Sequence, residues 1–286
     1  MADDDTLPKL SWKRGDFEQR FLGGGGRFTR VNLFRSAVGA ALMLVGFYAA
    51  LTPLEDHPVA EMFTQRGVIP YAIVFFTAWA LVILFIKWRK LKFQMRALED
   101  EFSVVPRDPG FILAKGTVDI VKRNIYQTVD DPKYFVLFNR IDNALSNLKN
   151  LGQVSDVDDI LRSQASHDES VMETSYSIIG SFVWAIPVLG FIGTVLGLSD
   201  AIGQFGGVLQ AAGAIEEIKA ALQDVTGGLA TAFQTTLQAL VAALAIQLLL
   251  ALLKKSEEEF LDECTEYCVI HVVNKLRLHI YEGAEE

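Results

Sequence analysis

Residues 229–253 read LATAFQTTLQALVAALAIQLLLALL, a run of 25 residues without Asp, Glu, Lys, Arg or His. A helix of 17–25 apolar residues covers the hydrocarbon core of a bilayer. Three further stretches, Ser36–Leu54, Val68–Ile86 and Ser177–Ser199, are equally free of these five residue types. One such stretch could be a buried helix of a soluble protein; four in 286 residues, with a mean hydropathy of +0.27, read as transmembrane helices. The expected fold class is an all-α polytopic membrane protein with four transmembrane helices and helical extensions outside the bilayer.

The net charge of −9 conceals an asymmetry. Lys9, Lys13, Arg14, Arg20, Arg27, Arg30 and Arg35 precede the first span, and Lys87, Arg89, Lys90, Lys92 and Arg96 follow the second. The loop between them has Glu55, Asp56 and Glu61 against Arg66, and the fourth span closes on Lys254 and Lys255. Basic residues stay on the cytoplasmic side. Both termini and the segment 87–176 are therefore expected in the cytoplasm, with loops 55–67 and 200–228 outside. The start, with Asp3-Asp4-Asp5, lacks the basic and apolar run of a cleavable signal, so the first span is expected to direct insertion.

The expected divisions are an N-terminal segment 1–35, spans one and two at 36–86, a cytoplasmic segment 87–176, spans three and four at 177–253 with the outer loop 200–228, and a C-terminal helix 254–286. Gly23–Gly26 reads as a flexible joint, and it lacks the Gly-Lys-Ser/Thr ending of a phosphate loop. The second span should continue as a charged helix to about Phe102. Ile112, Val118, Val121 and Ile125, then Phe138, Ile141, Leu145 and Leu148, carry helical periodicity on either side of a break at Asp131-Pro132. Another helix should begin near Ser155 and run into the third span. These read as stalk-like helices with no paired catalytic carboxylates and no Ser–His arrangement, so no enzyme is expected. In the outer loop, Ile215, Ile218, Ala221, Leu222 and Val225 line one face of a short helix expected to lie on the membrane surface. Cys264, Cys268 and His271 share a helical face and read as packing residues rather than a metal site. No metal, organic cofactor or nucleic-acid partner is expected.

The third span contains Pro187, Gly190, Gly193 and Gly197. The glycines form one smooth helical face on which another helix can approach closely, within the chain or between copies. The fourth span carries Thr231, Gln234, Thr235 and Gln238 at i, i+3, i+4 and i+7, with Thr236 beside them and Gln247 further on. An amide facing lipid is costly, so the stripe must meet a pore, a partner helix or an internal contact.

The stretch Ile186-Pro187-Val188-Leu189-Gly190-Phe191-Ile192-Gly193-Thr194-Val195-Leu196-Gly197 resembles the P-x-L-G-x-x-G-T-V-x-G segment of the MotA/TolQ/ExbB proton-channel family. The stretch Ala232-Phe233-Gln234-Thr235-Thr236-Leu237-Gln238-Ala239-Leu240-Val241-Ala242 is similar to that family's A-L-x-x-T-x-x-G-L-x-x-A helix. Matched residue by residue, Thr194 and Thr236 fall on the pore-facing threonines of the TolQ/ExbB branch. The four-span layout resembles MotA instead, and Ala239 and Phe233 stand where glycine and leucine are usual.

The resemblance implies a pentameric ring around a dimer of a single-span MotB-, TolR- or ExbD-like partner in the bacterial inner membrane. An aspartate of the partner would carry the proton, the expected coupling ion, with sodium left open. Thr194, Thr236, Thr235, Gln234, Gln238 and Thr231 are the expected proton-pathway residues. This chain has no titratable side chain in mid-membrane, so the carrier must come from another chain. The rival readings are a passive membrane scaffold and a subunit of a transporter.

Overall fold

The computed structural model describes residues 10–22, 24–54, 57–106, 108, 110–114, 116–148, 154–210 and 215–276. Nine α-helices occupy them: α1 (Trp12–Gly15), α2 (Phe17–Leu22), α3 (Leu33–Leu51), α4 (Pro58–Thr64), α5 (Ile69–Met95), α6 (Val118–Thr128), α7 (Val136–Leu148), α8 (Val154–Gln210) and α9 (Ile215–His271). The described residues contain no strand, only the isolated bridges Leu10–Val129 and Leu113–Leu276. Four helical stretches are long and apolar enough to cross a membrane: Leu33–Leu54, Ile69–Leu98, Asp156–Gln204 and Leu222–Lys275. The chain is an all-α polytopic membrane protein.

It divides into two compact units. The membrane unit comprises Leu33–Leu84 and Tyr176–Leu252. Here α3 lies on α5 where Gly39 meets Val82 and the Trp79 indole donates to Ser36 Oγ at 3.0 Å. Trp79 and Phe76 pack against Phe182 of α8, with ring centroids 4.9 and 5.3 Å away. At the other end of α3, Tyr48 stacks on Tyr71 at 4.4 Å and donates to the Phe63 carbonyl. Helix α4 starts at Pro58, whose missing N–H costs nothing at a first turn, with the His57 ring accepting from Val59 N–H. The outer-loop helix expected at 215–225 is not separate: α9 begins at Ile215 and runs through it without a break.

The polar unit comprises Met1–Asn32, Phe85–Ser175 and Leu253–Glu286. Sequence periodicity reads this part as stalk-like helices; the structure gives it a hydrophobic core. Val118, Val121 and Ile125 of α6 and Phe138, Ile141 and Leu145 of α7 are buried, whereas Ile112 lies ahead of α6 and is exposed. Helix α5 ends at Met95, earlier than expected, and 3₁₀ turns at Arg96–Leu98 and Asp100–Phe102 complete the segment. Trp12 packs between α5 and the segment before α7, stacked on Tyr134 at 5.0 Å and close to Phe93 and Phe135. Asp130 fixes it there by accepting from Ser11 Oγ and from the N–H groups of Trp12 and Lys13. The glycine run is packed rather than free: a side chain at Gly25 would collide with Asp16, and one at Gly26 with the Arg30 backbone. Gly23 lies outside the described residues.

Buried charges hold this core. Lys90 is fully buried and donates to Glu18 at 2.6 Å and to the Arg30 carbonyl at 2.7 Å, with Asp16 at 3.7 Å. Burial pushes the Asp16 carboxyl above its ordinary range, against the pull of Lys90. Lys87 pairs with Glu257 at 3.3 Å and donates to Ser175, and Arg140 pairs with Asp168 at 2.7 Å and donates to Thr265. Removing one member of a buried pair leaves the other uncompensated. Lys90→Met should therefore lower stability by about 3–5 kcal/mol. Lys92→Met, at an exposed position, should fall within about 0.5 kcal/mol of the parent. Chemical denaturation in mild detergent, followed by Trp fluorescence, measures both.

Candidate functional site

Within the membrane unit, α8 and α9 run antiparallel with Gly190 opposite Thr236 and Ala239, Gly193 opposite Thr235, and Gly197 opposite Gly228 and Ala232. A methyl group at Gly197 would lie 2.7 Å from the Gly228 carbonyl oxygen and 2.8 Å from the Ala232 nitrogen. Backbone therefore meets backbone, as small residues permit in a membrane. The three sequence-selected glycines pack α8 onto α9 inside one chain. Helix α8 continues unbroken through Pro187. That ring removes one N–H from the helix ladder.

The close approach brings two hydroxyls together. Thr194 Oγ1 lies 3.2 Å from the carbonyl of Ala232 on the facing helix, and Thr236 Oγ1 lies 3.0 Å from that of Gly190. Each is also 3.2 Å from a carbonyl of its own helix, Gly190 for Thr194 and Ala232 for Thr236. The two hydroxyls share a hydrogen bond with each other. Two O–H protons thus serve a cluster of two hydroxyl and two carbonyl oxygens, which leaves acceptor lone pairs over. Both threonines are half-buried and open towards a rim of exposed Phe191, Val195, Phe233 and Leu240. The cluster is neutral. It can orient a proton donor or a water, and it cannot store a charge.

The rest of the polar stripe is spent inside the chain. Thr231 and Thr235 donate to carbonyls of their own helix, at Gly227 and Thr231, and Thr235 is buried against Gly193. Gln234 Oε1 accepts from Arg66 Nε at 2.8 Å, and Arg66 in turn bonds Glu61 at 3.0 Å. Gln238 is buried and its Nε2 donates to the Met62 carbonyl at 2.8 Å. One polar atom of each amide is met by a residue in or just after α4, 168 and 176 positions away, while the buried Gln238 Oε1 has no partner among the described residues. Arg66, the loop's lone basic residue, is the clue that sequence reading passed over.

Cys264 and Cys268 are buried in the polar unit, and burial raises both thiols, Cys268 to about 12. Protonated thiols are poor ligands. Among the described residues no three His, Cys, Asp or Glu side chains gather as a metal site.

The glycine contact makes a prediction. Gly197→Ala should cost about 1–3 kcal/mol by overpacking, because backbone atoms cannot step aside. Gly180→Ala, on the same helix with nothing within 4 Å of the added methyl, should gain about 0.5–1 kcal/mol. Equilibrium denaturation of the detergent-solubilised variants separates the two.

Comparison with known proteins bears on this geometry. Neither the curated proteins nor the solved structures contain a match to the chain. The family model of the MotA/TolQ/ExbB proton channel family matches residues 135–266, a range that includes both threonines and the glycine face. With four membrane-spanning helices and that match, the chain carries a domain of the MotA/TolQ/ExbB proton channel family over residues 135–266.

Proposed function

We propose that this chain is the ring-forming subunit of a proton-driven motor in a bacterial inner membrane, with five copies around a dimer of a single-span MotB-, TolR- or ExbD-like partner. The Thr194–Thr236 cluster carries the reading: two hydroxyls in a membrane unit whose spans lack Asp, Glu, Lys, Arg and His. A proton needs a group that can hold it in mid-membrane, and this chain supplies only neutral oxygens there. An aspartate on the partner's helix is the carrier. Thr194 and Thr236 orient its carboxyl, or a water beside it, as it gains and loses the proton. One charge crossing the membrane releases about 2.3 kcal/mol per 100 mV. The ring converts this to movement when each protonation step changes which subunit the carboxyl meets. Gln234, Gln238, Thr231 and Thr235 support the wall behind the hydroxyls rather than the path itself.

The Lys/Arg distribution supports cytoplasmic termini and a cytoplasmic segment 87–176. A cysteine introduced at Asn143 should then resist a membrane-impermeant thiol reagent in intact cells and react once the membrane is opened. Reaction in intact cells would reverse the assignment.

The mechanism is tested by Thr194→Val with Thr236→Val, which keep side-chain shape and delete the hydroxyls. Each lost hydrogen bond is worth about 0.5–1.5 kcal/mol, so proton flux should fall about twofold to thirteenfold per substitution. Assembly with the partner should be unchanged. Proton uptake by vesicles holding the reconstituted complex measures the flux, and full activity in the double variant would remove both residues from the mechanism.

A further inference from the structure

One polar side chain of the fourth span is left outside all of these contacts. Gln247 is exposed, between Leu244 and Leu248, which are exposed at 62% and 58%. Its amide makes no hydrogen bond to any described residue, unlike those of Gln234 and Gln238. Leaving a primary amide in hydrocarbon costs several kcal/mol. Its surroundings in the working protein must therefore offer hydrogen bonds that the described residues of this chain do not.

Its position on the helix identifies those surroundings. Gln247 is eleven residues beyond Thr236, and at about 100° per residue that is three turns plus roughly 20°. The two side chains share a face, about 16 Å apart along the axis. Exposed Leu240 lies on this face between them. The face borders the α8 contact, where buried Ala239, Ala243 and Ile246 pack inward. Leu248, one residue on, points about 100° away from Gln247.

We propose that Gln247 lines a water-filled stretch of the proton path, on the side of the Thr194–Thr236 cluster towards Lys254. This rests on the functional reading above. A glutamine amide offers two donors and an acceptor, so it can hold waters on either side of itself. It does not titrate, so it cannot trap the proton it helps to pass. Each water accepts a proton on its oxygen and releases another to its neighbour, and the amide remains chemically unchanged.

The experiment uses the assembled complex in inverted membrane vesicles. Gln247→Cys and Leu248→Cys are compared for modification by a charged methanethiosulfonate reagent, with the parent, whose two cysteines are buried, as background. Such a reagent needs an ionised thiol in contact with water, so Gln247→Cys should react at least about tenfold faster than Leu248→Cys. In parallel, Gln247→Leu should keep the ring and lower proton flux, and Gln247→Asn should restore part of it. Equal reactivity of the two cysteines would overturn the proposal. So would loss of the ring in Gln247→Leu, which would put the amide in a seam between subunits, or full flux in that variant. Run beside the threonine variants, the assay separates two failures. If the threonine variants lose flux and Gln247→Leu does not, this inference alone falls; if the threonine variants keep full flux, the functional reading falls.

Discussion

The membrane unit depends on the approach of α8 to α9 along Gly190, Gly193, Gly197 and Gly228, where Ala239 and Thr235 seat against the first two glycines and backbone meets backbone at Gly197 and Gly228. Between apolar helices in lipid there is no hydrophobic drive to association, so packing and hydrogen bonding must do it. The glycines supply the packing. They also set the reach at which a short threonine side chain can bond a carbonyl of the opposite helix, which Thr194 and Thr236 do reciprocally. Wider spacing would leave each hydroxyl bonded to its own helix, where such contacts are commonplace.

The polar unit solves a different problem. Residues 10–20, part of a basic segment in the sequence, are drawn into a core by Trp12 and by the buried pairing of Lys90 with Glu18. Buried ion pairs contribute little net stability, because desolvation offsets attraction. Their effect is to specify: Lys90 accepts only an arrangement that brings Glu18 and the Arg30 carbonyl to it. Lys87 with Glu257, and Arg140 with Asp168, impose the same requirement on α5, α7, α8 and α9.

Much of this was legible in the sequence because a bilayer imposes length and charge rules that need no tertiary knowledge. The four stretches without Asp, Glu, Lys, Arg or His match the four candidate membrane helices, with Val68 alone lying outside, and α8 begins at Val154, one residue from where the pattern places it. The threonines emerged from a motif, and the structure brings the pair together. What escaped was long-range. Lys87 and Lys90 look like flanking cations at a membrane edge, and only folding shows both buried beside acids. The Gln234 and Gln238 stripe looks open until α4 folds back with Met62 and Arg66. Stalk-like periodicity in α6 and α7 could not reveal that Trp12, over a hundred residues earlier, packs on Tyr134 and Phe135 in the segment that joins them.

The central claim is that this chain shapes a proton path without holding the proton. The most direct test is proton conductance in vesicles that contain this chain alone, under an imposed membrane potential and read with an internal pH indicator. The account predicts leakage no greater than that of empty vesicles, because neutral hydroxyls and amides give the proton nowhere to reside in mid-membrane, and conductance appearing only when the single-span partner is added. Rapid, potential-driven acidification by this chain alone would contradict it.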